Sequence, residues 1–117
     1  MIQVIERAHR ILEKVAAQPE SPHHLKDLAA HLGVSAQACS NIVRTLVELG
    51  WLTVLPDRGG YLLGPTPYRL GQGRPYRREL VETGAPVLES LAKEIGGLCL
   101  IVVHGGGRRV VVVEKQG

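Results

Sequence analysis

Apolar residues in the first half of the chain recur three or four positions apart, which is the spacing of one face of an α-helix. This periodicity predicts helices over residues 4–17, 24–32 and 36–49. Two prolines follow the first helix and end it, because proline cannot continue a helix. Gly33 ends the second helix, since glycine adopts the left-handed backbone found at helix termini. Ser35 then stands where a side chain can cap the third helix.

Each of these helices has one apolar side, and we expect the three sides to pack into a common core. The inward residues are Val4, Ile5, Ala8, Ile11, Leu12 and Val15 on the first helix, Leu25, Leu28, Ala29 and Leu32 on the second, and Cys39, Ile42, Val43, Leu46 and Leu49 on the third. Trp51 is expected to join this core. The hydrophobic fraction of 44% is that of a packed domain rather than a disordered chain.

The pattern changes after Gly50 to short runs of strand-forming residues. Residues 51–55 and 61–63 are two such runs, and a turn containing Pro and Gly joins them, which predicts a β-hairpin. Residues 64–75 are rich in Gly and Pro, so we expect a linker there, with one helical turn around 68–70.

The remainder of the chain predicts one more helical region and a second hairpin. Residues 76–95 have helical periodicity, but Gly84 and Pro86 interrupt it, so we expect either a kink or two helices. Two apolar strands follow, over 98–103 and 109–114. A two-stranded hairpin as apolar as this needs another surface to cover it, and we therefore expect this region to form the contact of a homodimer.

The order of the elements is that of a winged helix-turn-helix, in a fold that is α+β and mainly helical. We expect a DNA-binding domain at 1–64, a basic Gly/Pro-rich linker at 65–78, and a helix with a β-hairpin at 79–117. A recognition helix at 35–49 would enter the major groove of double-stranded DNA, which is wide enough for a helix. A wing at 52–63 would lie along the adjacent backbone or minor groove.

Polar residues on the outer side of the third helix and on the wing are the candidate DNA contacts. Gln and Asn can bond adenine bidentately, Arg can read guanine or hold a phosphate, and a hydroxyl at a helix N-terminus can do both capping and phosphate binding. The candidates are Ser35, Gln37, Ser40, Asn41, Arg44, Arg58 and Tyr61. For each of them an ordinary solvated or packed side chain is the alternative interpretation, and for Tyr61 packing within the wing is favoured.

The charge of the chain is concentrated in one segment. The net charge is +3, and residues 51–78 hold five arginines against Asp57 alone. Positive charge attracts phosphates and makes binding depend on salt. Arg69, Arg74, Arg77 and Arg78 are therefore expected to support DNA binding, although a solvated basic linker would have the same composition.

Other classes of protein find little support in the sequence. The two cysteines are far apart, and neither they nor the five histidines have the spacing of a metal site. No phosphate loop, nucleophile elbow or pair of catalytic carboxylates is present, so we expect no enzyme activity and no cofactor. No apolar run is long enough to span a membrane, and the N-terminus lacks the apolar segment of a signal peptide. We expect a soluble, cytoplasmic protein.

Two functions remain open at this point. The first is a sequence-specific transcriptional regulator, expected to act as a repressor. The second is a protein-interaction or ligand-sensing winged-helix module that does not bind DNA, since a fold alone does not fix a function. The basic segment favours the first.

Five segments of the chain carry a family resemblance: RAHRILEKVA in the first helix, LAAHLGVS and VRTLVELGWL in the helix-turn-helix, YLLGPTPYRLG after the wing, and LVETGAPVLESLAKEIGGLCLIVVHGGGRRVVVVE beyond it. In these segments the chain resembles the IclR (isocitrate lyase regulator) family of bacterial transcription factors. The resemblance implies an N-terminal winged helix for operator DNA, a C-terminal GAF-like effector domain, and a dimer or tetramer. Because the resemblance reaches only the beginning of that second domain, we expect a truncated GAF-like domain and do not assume a small-molecule effector.

The chain departs from the family pattern in three ways. His24 stands where the family has a capping Ser or Thr, so the second helix has a weaker cap. Asn41 replaces an Arg of the recognition helix, and Gln37 and Ala38 replace a pair of small hydroxyl residues. The fold tolerates these changes, but an operator sequence cannot be carried over from the family.

Overall fold

A computed structural model of the chain describes residues 1–57 and 59–117, and it forms two compact units. The first unit is Met1–Gln72 and the second is Gly73–Gly117. The first contains α1 (Gln3–Ala17), α2 (Leu25–Leu32), α3 (Ala36–Glu48), β1 (Leu52–Val54), β2 (Tyr61–Leu63) and α4 (Pro65–Leu70). The second contains α5 (Arg78–Ile95), β3 (Leu98–Gly105) and β4 (Arg108–Gln116). The predicted fold class, α+β and mainly helical, is confirmed.

The core of the first unit forms where α1, α2 and α3 meet the start of β1. Its largest fully buried side chains are Ile11, Val15, Leu28, Cys39, Val43 and Leu52. Trp51 is half-buried and packs against this core, as do Leu12, Ile42 and Tyr61. Burial of these apolar side chains is the main force that holds the three helices at fixed positions.

Local chemistry sets the turn between α2 and α3. Gly33 has φ of 70°, and its N–H and that of Val34 donate to the carbonyls of Ala30 and Ala29. The Ser35 hydroxyl accepts from the N–H of Ala38 at 3.1 Å and caps α3. The Gly33 and Ser35 predictions are thus confirmed.

α2 begins less firmly than it ends. His24 is its N-cap and makes no capping hydrogen bond with its side chain, as the sequence predicted. The other end is tied to α1, because Arg10 Nη2 donates to the carbonyl of His31 at 2.9 Å. Arg10 therefore serves the packing of α1 on α2 as well as lying on the polar side of its own helix.

The wing is an antiparallel hairpin in which Leu52 pairs with Leu63 and Val54 pairs with Tyr61. β1 is two residues shorter than the predicted strand. His23 forms an isolated antiparallel bridge with Tyr61 of β2, in which the N–H of His23 donates to the Tyr61 carbonyl at 3.0 Å and the Tyr61 N–H donates to the His23 carbonyl at 2.8 Å. The loop between α1 and α2 thereby holds the wing against the helices.

The first part of the predicted linker is a helix, α4, which is longer than the single turn expected around residues 68–70. It is fixed to the end of α3, because Thr66 Oγ1 donates to the carbonyl of Leu49 at 2.6 Å and the Thr66 N–H donates to Gly50 at 2.9 Å. Gly64 precedes it in a site with no room for a Cβ, which would meet the Gly50 carbonyl oxygen. A composition rich in Gly and Pro thus reflects close backbone contact here.

In the second unit α5 is one helix, so the alternative of two helices is wrong. Pro86 lies inside it, where the missing N–H removes one hydrogen bond of the eighteen-residue helix. Gly84 does not interrupt the helix either. A Cβ at this position would collide with Ile101 Cδ1, so the glycine lets α5 approach β3 closely. The helix begins two residues later than predicted because Arg77 has a left-handed backbone, with φ of 56°.

Several residues expected to be inside are exposed within their own unit. Val4, Ile5 and Leu49 in the first unit lie at the surface rather than in the core, because they line an open apolar groove between α1 and α3. In the second unit the buried residues are Leu88, Ala92, Cys99 and Val113. Among the described residues, no helix has the length and apolar character needed to cross a bilayer.

Candidate nucleic-acid interface

α3 presents a polar face on the side opposite the core. Gln37, Asn41 and Arg44 are exposed, and Ser40 is half-buried beside them. Residues 37, 41 and 44 are spaced by four and three, which places them in a row on one side of the helix. Cys39 and Val43 on the opposite face of α3 are buried, so packing in the core fixes the direction in which this row faces.

The row is linked by hydrogen bonds. Gln37 Nε2 donates to Asn41 Oδ1 at 3.2 Å, and Arg44 Nη2 donates to the same oxygen at 2.7 Å. Thr45 Oγ1 donates to the backbone carbonyl of Asn41 at 3.1 Å. Two side chains of α3, those of Gln37 and Arg44, therefore orient the Asn41 side chain before any ligand is present.

A groove runs between α3 and the wing, with a volume of about 430 Å³. We refer to it as the helix–wing groove, and it is lined by Gln37, Ser40, Arg44, Val47, Val54 and Tyr61. No acidic residue is among the lining residues in the described part of the chain. The groove thus combines one fixed positive charge, neutral hydrogen-bonding groups and two valines.

The structure brings four of the seven candidate residues to one groove, because Gln37, Ser40, Arg44 and Tyr61 line the helix–wing groove. Asn41 is next to them on α3 and lines an apolar groove between α1 and α3. Ser35 lies at the start of α3 and uses its hydroxyl as a cap. Arg58 lies outside the described residues.

Tyr61 has two sets of contacts. Its side chain is half-buried and packs against the core of the first unit, while it also lines the groove. Its backbone pairs with His23 and with Val54 on the neighbouring strand. Packing within the wing is therefore a large part of its role.

Sequence reasoning missed Val47 and Val54 as residues of the groove. Val54 is 47% exposed although it lies on a strand next to the core. Its position could have been found from the register of the hairpin, because the cross-strand partner of a groove residue shares its face. Such apolar groups suit the methyl group of thymine or the sugars of a backbone.

Two of the arginines from the basic segment are paired within the second unit. Arg77 Nε lies 2.9 Å from Glu79 Oε1, and Arg78 Nε lies 2.7 Å from Glu82 Oε1. The hydrogen bond from Arg77 holds the pKa of Glu79 below its ordinary value. These pairs are exposed and weak, but they offset part of the positive charge that the composition suggested.

The titratable thiol of α3 faces away from the groove. Cys39 is fully buried, and loss of hydration raises the pKa of its thiol, which keeps it neutral. No group of three or more His, Cys, Asp and Glu residues with the geometry of a metal site occurs over residues 1–57 and 59–117.

Three helices around one core, a glycine turn, a capped α3 and a two-stranded wing define the chain as a winged helix-turn-helix protein. Consistent with this, the model of the MarR family matches residues 3–60. That match covers α1 to α3 and β1, and ends before β2. A search among curated proteins finds no matching sequence.

Solved structures match over both units. An IclR-family transcriptional regulator from Brucella abortus matches 100% of this chain with a TM-score of 0.86 and 20% identity. An IclR transcriptional regulator from Alicyclobacillus acidocaldarius matches 97% with a TM-score of 0.75 and 21% identity, and the Thermotoga maritima IclR matches 100% with a TM-score of 0.67 and 16% identity.

The chain has the fold of the N-terminal part of IclR-family transcriptional regulators, which confirms the resemblance drawn from its sequence. It spans less than half of these solved chains, at 44%, 46% and 47% of their lengths.

Proposed function

We propose that this protein is an IclR-type transcriptional regulator that binds double-stranded DNA sequence-specifically through α3 and the wing. The observation that carries the proposal is the helix–wing groove, where the exposed polar row of α3 borders a hairpin and acidic residues are absent from the described lining. A helix that displays amide and guanidinium groups beside a positively charged groove fits the edges of bases and the phosphates next to them.

Each candidate residue has a role in this proposal. Gln37, Ser40 and Asn41 face base edges, and Arg44 reaches a base or a phosphate. Ser35 holds the start of α3, where the helix N-terminus favours a phosphate. Arg58 and the Tyr61 hydroxyl contact the backbone from the wing.

Fluorescence anisotropy tests this proposal. A labelled duplex from the region upstream of the protein's own gene and a scrambled duplex of the same composition would be titrated at about 50 and 200 mM salt. We expect tighter binding to the upstream duplex at both concentrations. Equal affinity for both duplexes that disappears at the higher salt would mean a general attraction to phosphates and would contradict sequence-specific regulation.

We further propose that the protein represses transcription in the cytoplasm as a homodimer. A dimer would present two copies of α3 to two half-sites, so that binding across a promoter would obstruct the polymerase. The exposed apolar side chains of the second unit support dimer formation. Deletion of the gene should raise expression from the bound promoter, whereas lowered expression would indicate an activator.

A second candidate function is a protein-interaction module, and one surface of the first unit favours it. The ends of α1 and α3 form an apolar groove of about 440 Å³, to which Val4, Ile5, Ile42 and Leu49 contribute. A partner protein could cover these side chains. Capture of a partner by the wild-type protein in the absence of any DNA affinity would favour this function over the regulator.

A further inference from the structure

Arg44 determines which way the side-chain amides of Asn41 and Gln37 are oriented, and so which donors and acceptors they present. A guanidinium carries only donors, so the side-chain atom of Asn41 that faces Arg44 Nη2 at 2.7 Å must be the oxygen. The atom of Gln37 that faces the same oxygen at 3.2 Å must then be its NH₂ group. The orientation of both amides follows from a residue that has no alternative hydrogen-bonding state.

This arrangement leaves Asn41 with donors alone. A carbonyl oxygen has two lone pairs, and Gln37 and Arg44 occupy both positions at Asn41 Oδ1. The free group is the Nδ2 amide, with hydrogens available to a ligand on the exposed side of α3. The adenine contact expected for an asparagine needs its oxygen as well, since adenine offers an N7 acceptor and an N6 donor. That contact would require one of the two internal hydrogen bonds at Asn41 Oδ1 to break.

Guanine matches what Asn41 presents, because its N7 and O6 are two adjacent acceptors in the major groove. On the basis of the DNA-binding function proposed above, we infer that Asn41 reads guanine through its Nδ2 group. Arg44 acts as a positioning residue for Asn41, in addition to any contact of its own. Gln37 contributes the second hydrogen bond that keeps the Asn41 oxygen in this orientation.

The test is selection of preferred sequences from a random duplex library by the wild-type protein and three variants of the full chain. Asn41→Asp keeps an oxygen toward Gln37 and Arg44 but replaces the outward donor with an acceptor. Arg44→Met keeps a flexible, unbranched side chain and removes the guanidinium donors, which frees the Asn41 amide to turn. Asn41→Ala is the control that removes the contact without creating another. Both positions are exposed, so the core is unaffected.

We expect the preferred base at one position of the selected sequence to differ among these proteins. The wild type should prefer guanine there by about tenfold or more. Asn41→Asp should prefer cytosine at that position, because cytosine presents the N4 donor. Arg44→Met should move the preference toward adenine, and Asn41→Ala should have none. Each preference is a ratio within one protein, so a general loss of affinity from the added negative charge cancels.

Wild-type selection of adenine at the position that Asn41→Asp alters would overturn this inference and leave the proposed regulator intact. Retention of guanine by Asn41→Asp would overturn it equally. Enrichment of no sequence by the wild type would overturn the proposed function itself, and the inference with it.

Discussion

At the scale of single residues, α3 depends on polar groups whose partners lie within one turn of the chain. The Ser35 cap joins residues three apart, and the Asn41 network joins residues four and three apart. Sequence patterns describe interactions between residues close in sequence best. The roles of Gly33 and Ser35 were therefore predicted correctly. The orientation of Asn41 was not, because it depends on three side-chain conformations taken together.

The Ser35 cap makes a prediction about stability. Ser35→Ala removes the acceptor of the Ala38 N–H and should lower the free energy of unfolding of the first unit by about 1 kcal/mol. Urea unfolding followed by the fluorescence of Trp51, the sole tryptophan, measures this. Ser40→Ala in the same helix is the control and should change stability by less than about 0.5 kcal/mol. Equal effects of the two changes would contradict the capping role.

Cys39 makes a prediction about pH. Burial raises the pKa of its thiol above the ordinary value of 9.0, so the folded state keeps the proton when the unfolded chain begins to lose it. Its contribution to stability is therefore complete below pH 9.0 and is lost as pH rises beyond that value. The unfolding free energy should be measured at a pH below 9.0 and at a pH above it. The decrease between the two should be larger for the wild type than for Cys39→Ala. An equal fall in both proteins would show that Cys39 has no part in it.

At the scale of elements, periodicity identified every helix that packs on a core by one face. α4 and the continuity of α5 were harder to predict, for a common reason. Gly and Pro are read as interruptions, but Gly64 and Gly84 stand where a backbone or side chain comes too close for a Cβ. Whether a glycine marks a break or a close contact depends on what packs against it, and the sequence does not state that locally.

Gly64 gives the corresponding prediction. An alanine there would place its Cβ 2.9 Å from the carbonyl group of Leu52 and against that of Gly50, so β1 or α4 would have to move. Gly64→Ala should lower the unfolding free energy by about 3 kcal/mol. Gly73→Ala is the matched control, since nothing lies within 4 Å of its added Cβ. Thermal unfolding of the two variants measures the difference, and a stable Gly64→Ala protein would contradict the close packing.

At the scale of the whole molecule, the sequence predicted that the apolar surface of the second unit packs against another surface. Within that unit Val87, Leu91 and Ile95 of α5 are exposed at 63%, 43% and 60%, and Leu98 and Leu100 of β3 are also exposed. The fold could be predicted because each helix and strand carries its own pattern. Which apolar faces stay uncovered could not be, because that depends on how the elements pair.

The exposed face of α5 predicts the behaviour of the protein in solution. The wild type should be a dimer by light scattering, and Leu91→Glu should shift it toward the monomer because a buried, unpaired carboxylate opposes association. Lys93→Glu is the control, since Lys93 lies on another side of α5 beside Glu89. A monomeric wild type at high concentration would contradict the homodimer.

The most direct test of the central proposal is an NMR titration of the nitrogen-15-labelled protein with the duplex that it selects. The α3 face and the wing should bind the DNA, so amide shifts should change at Gln37, Ser40, Asn41, Arg44 and across 53–62. The exposed side of α2, including Lys26 and Ala30, should remain unchanged. Changes confined to α2 or to the second unit would mean that another surface binds the duplex, and the account of α3 as the reading element would then be wrong.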